Sequence, residues 1–300
     1  MILSLTACSL THSPDKVTTS AIVYVSSVAH ESPDGTEERP FPTISQALAV
    51  PADQLVVRVG PGVYEEAVRL RDKRVLEAWT GERPVIRVPD WSVPVVTMSG
   101  ESSISGMVLD GGSAGVLVSG KADVRITETR MINGYEGVWF DTQGGHVAID
   151  RVEILNVEAD AIDLEGQTGT ISNSTIIGSG DDAIDFDGNA NVTVFGNSLL
   201  DSHDDGIEIR LLEKTVAHIY DNVISGNGED GIEIIQSPKS PPQENSVRIH
   251  DNEIRENSRY GIGCVSVSTE EADVSLPDEI EIADNAFQGN VQGDVTPTCS

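Results

Sequence analysis

From residue 114 onward the chain alternates apolar and polar side chains in short runs, and the runs recur. "GVLV", "GVWF", "AIDL", "AIDF" and two copies of "GIEI" each open on a small residue: Gly115, Gly137, Ala161, Ala183, Gly206 and Gly231, with Gly261 opening a seventh run. Alternation with a period of two predicts strands with one buried face. The spacings between these small residues are 22, 24, 22, 23, 25 and 30. A period in the low twenties fits one turn of a β-solenoid; it is too short for helical-pair repeats and lacks the leucine pattern of horseshoe repeats. Between the runs stands a second phrase, "VTVFGNSLL", "AHIYDNVIS", "VRIHDNEIR" and "IEIADNAFQ". Its Asn197, Asn222, Asn252 and Asn285 fall on successive turns and predict a ladder of side-chain amides at an inward bend. Residues 43–50 break the alternation. Ile44, Ala47 and Leu48 share one helical face there, which predicts a short helix covering the open end of the solenoid.

Stacked strands of this period, "DGI" phrases and an asparagine ladder together resemble the right-handed parallel β-helix of the pectin-lyase-like superfamily. The resemblance spans residues 20–300. It implies an all-β fold, a single-stranded right-handed parallel β-helix with a short N-terminal capping helix. The stretch "YVSSVAHESPDGTEERPFPTISQALAV" followed by "LVVRVGPGVYEEAVRL" is similar to the opening of many bacterial surface β-helix proteins. The organisation expected is a signal remnant and tether over residues 1–20, cap and first turns over 21–100, and the parallel β-helix over 101–300.

Composition narrows the partners. The formal charge is −30, and the lysines are only Lys16, Lys73, Lys121, Lys214 and Lys239, so nucleic acid and anionic lipid would be repelled. Cations and polysaccharide suit such a surface better. Leu5-Thr6-Ala7-Cys8 resembles the lipobox of bacterial lipoproteins, in which the cysteine carries the lipid. With seven residues before Cys8, that reading places the true start of translation upstream. It implies an exported monomer, secreted or held at the cell envelope, that meets the membrane only through an anchor at Cys8. Export would permit a disulfide between Cys264 and Cys299, a pairing that the sequence leaves open.

Half of the net charge sits in residues 151–235, which hold 18 acids and 3 bases. Alternation turns Ile184 and Phe186 inward and Asp185 outward, so stacked turns predict columns. One column reads Asp163, Asp185, Glu208, Glu233, and the next reads Asp141, Glu165, Asp187, Arg210. A third, in the turn before the small residue, reads Glu136, Asp160, Asp182, Asp205, Asp230. Carboxylates on successive turns, about 4.8 Å apart, repel by roughly 1 kcal/mol in water and by roughly 3–4 kcal/mol where partly shielded. Three outcomes relieve this. The aspartates before glycine serve turn chemistry, the outer columns are a solvated acidic face, or Asp163, Asp185, Asp187 and Glu208 hold Ca2+, a hard cation that takes six to eight oxygens.

A resemblance to polygalacturonase-type glycoside hydrolases adds a catalytic reading. "EADAIDL" matches that family's Asn-Thr-Asp-Gly phrase through Asp160, and "GDDAIDF" matches its Gly-Asp-Asp-Cys-Ile phrase through Asp181 and Asp182. The resemblance implies that these three would donate a proton and activate water. In the third phrase Asp205 stands where the family has histidine, with His203 two residues away; the family's Arg-Ile-Lys phrase is missing. Polysaccharide lyases of this fold use an arginine beside calcium as base, which points to Arg210, whose other reading is a salt bridge that neutralises the column. Trp139, at an outward position, is the candidate sugar platform, with His203 and Asp205 as further substrate contacts. Three functions remain: an exported or surface protein that engages polysaccharide through an acidic, calcium-binding face; an active lyase or hydrolase; and a non-catalytic structural or adhesive envelope protein.

Overall fold

Each alternating run becomes a strand, and strands three apart in sequence lie side by side. The computed structural model describes residues 19–211, 214–236, 245–266 and 279–299, so Cys8 and the rest of the lipobox-like stretch lie outside the described residues. Three parallel sheets of eleven, ten and ten strands run the length of the solenoid. The eleven-stranded sheet extends from Ser20–Val25 to Ile280–Ala283, and a second from Val63–Tyr64 to Ala286–Gln288. The third extends from Val68–Leu70 to Gly293–Val295 and carries the "AIDF"-type strands; it is the acidic sheet below. Ile162, Ile184, Ile207, Ile232 and Ile262 point inward from it with no exposed surface. Burial of such a side chain contributes about 1.5–3 kcal/mol.

The rungs turn on single residues in the left-handed region. Gly196, Asp221, Asp251 and Asp284, with φ of 67°, 55°, 56° and 53°, precede the four ladder asparagines. Glycine, aspartate and asparagine occupy that region at least cost, which explains the recurring "GN" and "DN" pairs. The asparagine ladder forms as expected. Asn197 Nδ2 donates to Asn222 Oδ1 at 3.0 Å, Asn222 to Asn252 and Asn252 to Asn285 at 2.9 Å each. A second ladder runs at the next corner. Asn227 Nδ2 donates to Asn257 Oδ1 and Asn257 to Asn290, both at 3.0 Å, preceded by Ser179 Oγ donating to Ser202 Oγ at 2.8 Å. The sequence reading missed it, although its signal, "GS", "DS", "GN", "EN", "GN" at 178, 201, 226, 256 and 289, has the same form. Where glycine precedes an acidic-sheet strand, packing requires it: a Cβ on Gly206 would stand 2.4 Å from Ile224 Cγ2, and one on Gly231 2.5 Å from Ile254 Cγ2.

The expected helix is present as Ile44–Leu48. Thr43 Oγ1 accepts from Gln46 N at 3.2 Å, and Glu66 accepts from the N–H groups of Ile44 and Ser45 at 2.7 and 2.9 Å, so the helix start is fully capped. Ile44 and Ala47 are buried, and the helix packs on Gln54–Val59 and on Ser20–Val25 and Val68–Leu70, the first edge strands of two sheets. At the other end, a disulfide joins Cys264 to Cys299, tying the final helical turn Pro297–Cys299 to Tyr260–Ser266.

Candidate functional site

The acidic columns fall in the register that alternation predicts. Trp139 pairs with Asp163, Asp163 with Asp185, Asp185 with Glu208 and Glu208 with Glu233; Glu165 pairs with Asp187. The turn column is built by hydrogen bonds between rungs. Asp160 Oδ1 accepts from Asp182 N at 3.0 Å, Asp182 Oδ1 from Asp205 N at 2.7 Å, Asp205 Oδ1 from Asp230 N at 2.6 Å, and Asp230 Oδ1 from Tyr260 N at 2.6 Å. These bonds between rungs, rather than local turn chemistry, account for one oxygen of each of the four carboxyls.

The outer columns are solvated only in part: Asp141 and Arg210 are exposed and Asp163, Glu165, Asp185 and Asp187 half-buried, and the remaining acids are covered. Asp182, Asp205 and Asp230 are 5%, 2% and 1% exposed, and Glu208 and Glu233 are 7% and 8% exposed. Alternation says which way a side chain points, but the rungs above and below then shield it. Burial, followed by the charge of Asp205, pushes the Asp182 carboxyl up to about 10. Burial and then Asp187 raise Asp185 to about 9, and burial and then Glu233 raise Asp205 to about 9. For the same two reasons Glu136 rises to about 8, with Asp163 and then Asp160 as the added charges. Asp163 and Glu233 rise to about 7, and Asp160 to about 6, burial being the largest cause in each.

Two arginines meet this field. Arg210 Nε bonds Glu208 Oε1 and stands 3.8 Å from Asp187 Oδ1; Arg259 pairs with Glu229 and stands 3.8 Å from Glu233 Oε1. The bond to Glu208 raises the Arg210 pKa above its already high ordinary value. That holds the guanidinium protonated, which works against a base role and favours neutralisation of the column. Buried oxygens of Asp185 (Oδ1), Asp187 (Oδ1) and Glu136 (Oε2) still have no hydrogen-bond partner.

Among the described residues three groups of carboxylates converge. One oxygen from each of Asp182, Asp185 and Glu208 lies within 4.8 Å of the others, and the same holds for Asp205, Glu208 and Glu233 and for Asp160, Asp181 and Asp182. Ca2+ binds oxygens at about 2.3–2.6 Å, so two ligands of one ion stand at most about 5 Å apart. Each group is compact enough to share one hard cation; Asp182 and Glu208 each belong to two of them.

Of the residues singled out from sequence, the structure gathers Asp160, Asp181, Asp182, Asp185, Asp205 and Glu208 into these groups, while Asp163 and Asp187 flank them. His203 is exposed on the neighbouring turn, and Trp139 is half-buried at the head of the Asp163 column. The place of Glu233 in a carboxylate group, and the pairing of turn with strand carboxylates, were missed. Their signal is a carboxylate recurring three residues on, across the small residue: Asp160 and Asp163, Asp182 and Asp185, Asp205 and Glu208, Asp230 and Glu233. Tyr135, 47% exposed, sits four residues before Trp139, the neighbour of Asp163 in Glu208's column.

The family model described as right handed beta helix region matches residues 114–296. No curated protein matches the sequence. Among solved structures, a pectin methylesterase from Erwinia chrysanthemi is 11% identical with a TM-score of 0.45, over 83% of this chain and 91% of its own. A mannuronan C-5 epimerase A-module from Azotobacter vinelandii is 14% identical with a TM-score of 0.49, over 84% and 92%. A rhamnogalacturonan lyase is 14% identical with a TM-score of 0.48, over 91% and 69%. At such identities no residue role passes from those proteins to this one.

Proposed function

The chain belongs to the family of right handed beta helix regions, and on that scaffold we propose that it is an exported, monomeric protein that engages polysaccharide through a calcium-binding acidic face. The observation that carries this reading is Glu208, buried and shared by two carboxylate groups whose other members are held far above their ordinary pKa. Burial of several like charges without a cation is costly. Asp182, Asp185 and Glu208 would hold one Ca2+; Asp205, Glu208 and Glu233 offer a second position. Bound calcium would supply positive charge toward an anionic polymer. The chain's own residues set where such a polymer lies: the columns run along the solenoid axis, and Tyr135 offers an exposed ring near their N-terminal end. Export is supported by the Cys264–Cys299 disulfide, which belongs in an oxidising compartment. No helix among the described residues is long and apolar enough to cross a membrane; an anchor at Cys8 completes the proposal.

The test is calorimetric titration of Ca2+, paired with retention on immobilised polygalacturonate, alginate and a neutral glucan, with calcium or with chelator. The wild-type chain should take up Ca2+ and be retained on the anionic polymers only with calcium, and Glu208→Gln should lose both properties. Calcium uptake absent in the wild type, or retention indifferent to chelator and to Glu208→Gln, overturns the reading; no retention on any polymer leaves the envelope-protein role.

A hydrolase is the second reading, favoured by one observation. Asp160, Asp181 and Asp182 converge, yet burial sets Asp160 near 6 and Asp182 near 10. Carboxyls whose pKa values are pushed apart are how acid and base are divided in glycoside hydrolysis. Asp182 would donate the proton to the leaving oxygen and Asp160 or Asp181 would activate water. New reducing ends, lost in Asp181→Asn, would establish it; no shortening of any polymer would exclude it.

A further inference from the structure

On the eleven-stranded sheet, away from the acidic columns, two histidines face each other. His218 on Val216–Tyr220 and His250 on Ser246–His250 come from adjacent rungs, in which Tyr220 pairs with His250 and His218 with Arg248. Alternation turns all four outward from the buried Ala217, Ile219, Val247 and Ile249. His218 Nε2 stands 2.6 Å from His250 Nε2. On its far side, His250 Nδ1 stands 2.8 Å from Asp251 Oδ2. An ionised carboxylate only accepts, so Nδ1 carries the proton and donates, and the lone pair of His250 Nε2 faces His218.

We propose that His218 and His250 form a binding site for one borderline transition-metal cation, Zn2+, Cu2+ or Ni2+. Two imidazole nitrogens this close hold either one proton or one cation between them. Imidazole suits zinc, copper and nickel, whereas calcium and magnesium prefer oxygen, so this site is chemically distinct from the acidic face. A histidine that ligates metal through one nitrogen commonly donates the other N–H to a carboxylate, which is the arrangement of His250 and Asp251. The rings are also held in place. Phe195, Tyr220 and His250 stack with 4° between successive planes and centroids 5.3 and 5.4 Å apart, and the His218 ring lies 4.6 Å from that of Tyr220. Zinc bonds nitrogen at about 2.0–2.1 Å, so a tetrahedral ion needs the two nitrogens about 3.3 Å apart, an opening of about 0.7 Å. Small χ rotations of partly exposed rings supply it. Arg248, the nearest base in His218's column, is turned to Glu281 Oε2 at 3.4 Å. Two coordination positions are left for water, which makes the site open rather than closed.

The test uses the full chain in excess Ca2+, which keeps oxygen-rich positions occupied. Zn2+ is titrated by calorimetry, and Cu2+ binding is followed by electron paramagnetic resonance. The expected result is one equivalent bound, with hyperfine coupling to two nitrogens. His218→Asn and His250→Asn should each abolish the two-nitrogen signal, and Asp251→Asn should weaken Zn2+ binding by about 10–100-fold, with thermal melts confirming that each variant is folded. Equal Zn2+ uptake by the double variant His218→Asn/His250→Asn, Cu2+ bound through oxygen alone, or no uptake by the wild-type chain would overturn the proposal.

Discussion

The asparagine ladders and the aspartate ladder do one geometric task with different electrical results. In both, a side-chain oxygen accepts a backbone N–H from a neighbouring rung: Asn222 Oδ1 from Asn197 N at 3.0 Å, Asp182 Oδ1 from Asp205 N at 2.7 Å. An asparagine also donates, and Asn222 Nδ2 reaches Val194 O, Tyr220 O and Asn252 Oδ1. A carboxylate has nothing to donate when ionised. Each aspartate rung therefore adds a buried carboxyl that must hold its proton or meet a positive charge, where each asparagine rung adds a satisfied amide. The same corner geometry yields a column of satisfied amides in one place and a column of buried carboxyls with raised pKa values in another.

Four experiments would break or sharpen this contrast. The largest effect is expected from Asn222→Ala, which strips acceptors from Asn197 and leaves buried donors unmade; at about 1–3 kcal/mol per orphaned group, urea unfolding should show a loss of about 3 kcal/mol or more. Asp205→Asn should act in the opposite direction. It keeps the acceptor for Asp230 N and removes a carboxyl that folding forces to hold a proton, so without divalent cation at pH 8 it should gain about 1–2 kcal/mol, while any stabilisation by added calcium should shrink.

A third test is pH. A carboxyl whose pKa rises on folding adds stability that is full below its unfolded value near 3.9 and is lost as pH climbs through the folded value. With Asp185 and Asp205 near 9 and Asp182 near 10, the cation-free chain should melt higher at pH 5 than at pH 8. The difference should be at least about 2–4 °C, the shift that 1 kcal/mol produces in a sizeable domain. Calcium should erase the difference, whereas Asn222→Ala should keep the slope and lower both melts. An unchanged melt from pH 5 to 8 would contradict the electrical account of the aspartates. The smallest effect is expected from Ser179→Ala, which loses only the 2.8 Å bond to Ser202 at the thin start of the second ladder; about 1 kcal/mol should be seen by the same urea method.

The strand columns were legible because a period of two admits one register once Ile184 and Phe186 are placed inside. The first ladder was legible because its asparagines recur inside a longer phrase. The second was harder to read, since serine holds its first two places at Ser179 and Ser202 before Asn227 takes over. Burial of Asp182 and Glu208 was not legible at all: it arises from stacking by rungs 22 to 25 residues away, which no local pattern records. The histidine pair has the same character. His218 and His250 occupy different positions in their phrases, and only the diagonal between two rungs brings their rings together.

The two kinds of ladder also point in opposite directions. In the asparagine ladders each backbone N–H donates toward the C-terminal end, Asn222 N to Asn252 Oδ1 and Asn257 N to Asn290 Oδ1; in the aspartate ladder Asp205 N and Asp230 N donate back toward the N-terminal end. Peeling the last rung away would strip Asn252 and Asn257 of acceptors, while Asp205 and Asp230 keep theirs. Peeling from the front as far as the Asp160 rung would orphan Asp182 N and, as it goes on, strip Asn197 Nδ2 of Ile171 O, while the backbone N–H of each asparagine keeps its acceptor. Unravelling thus has no easy end from which to begin.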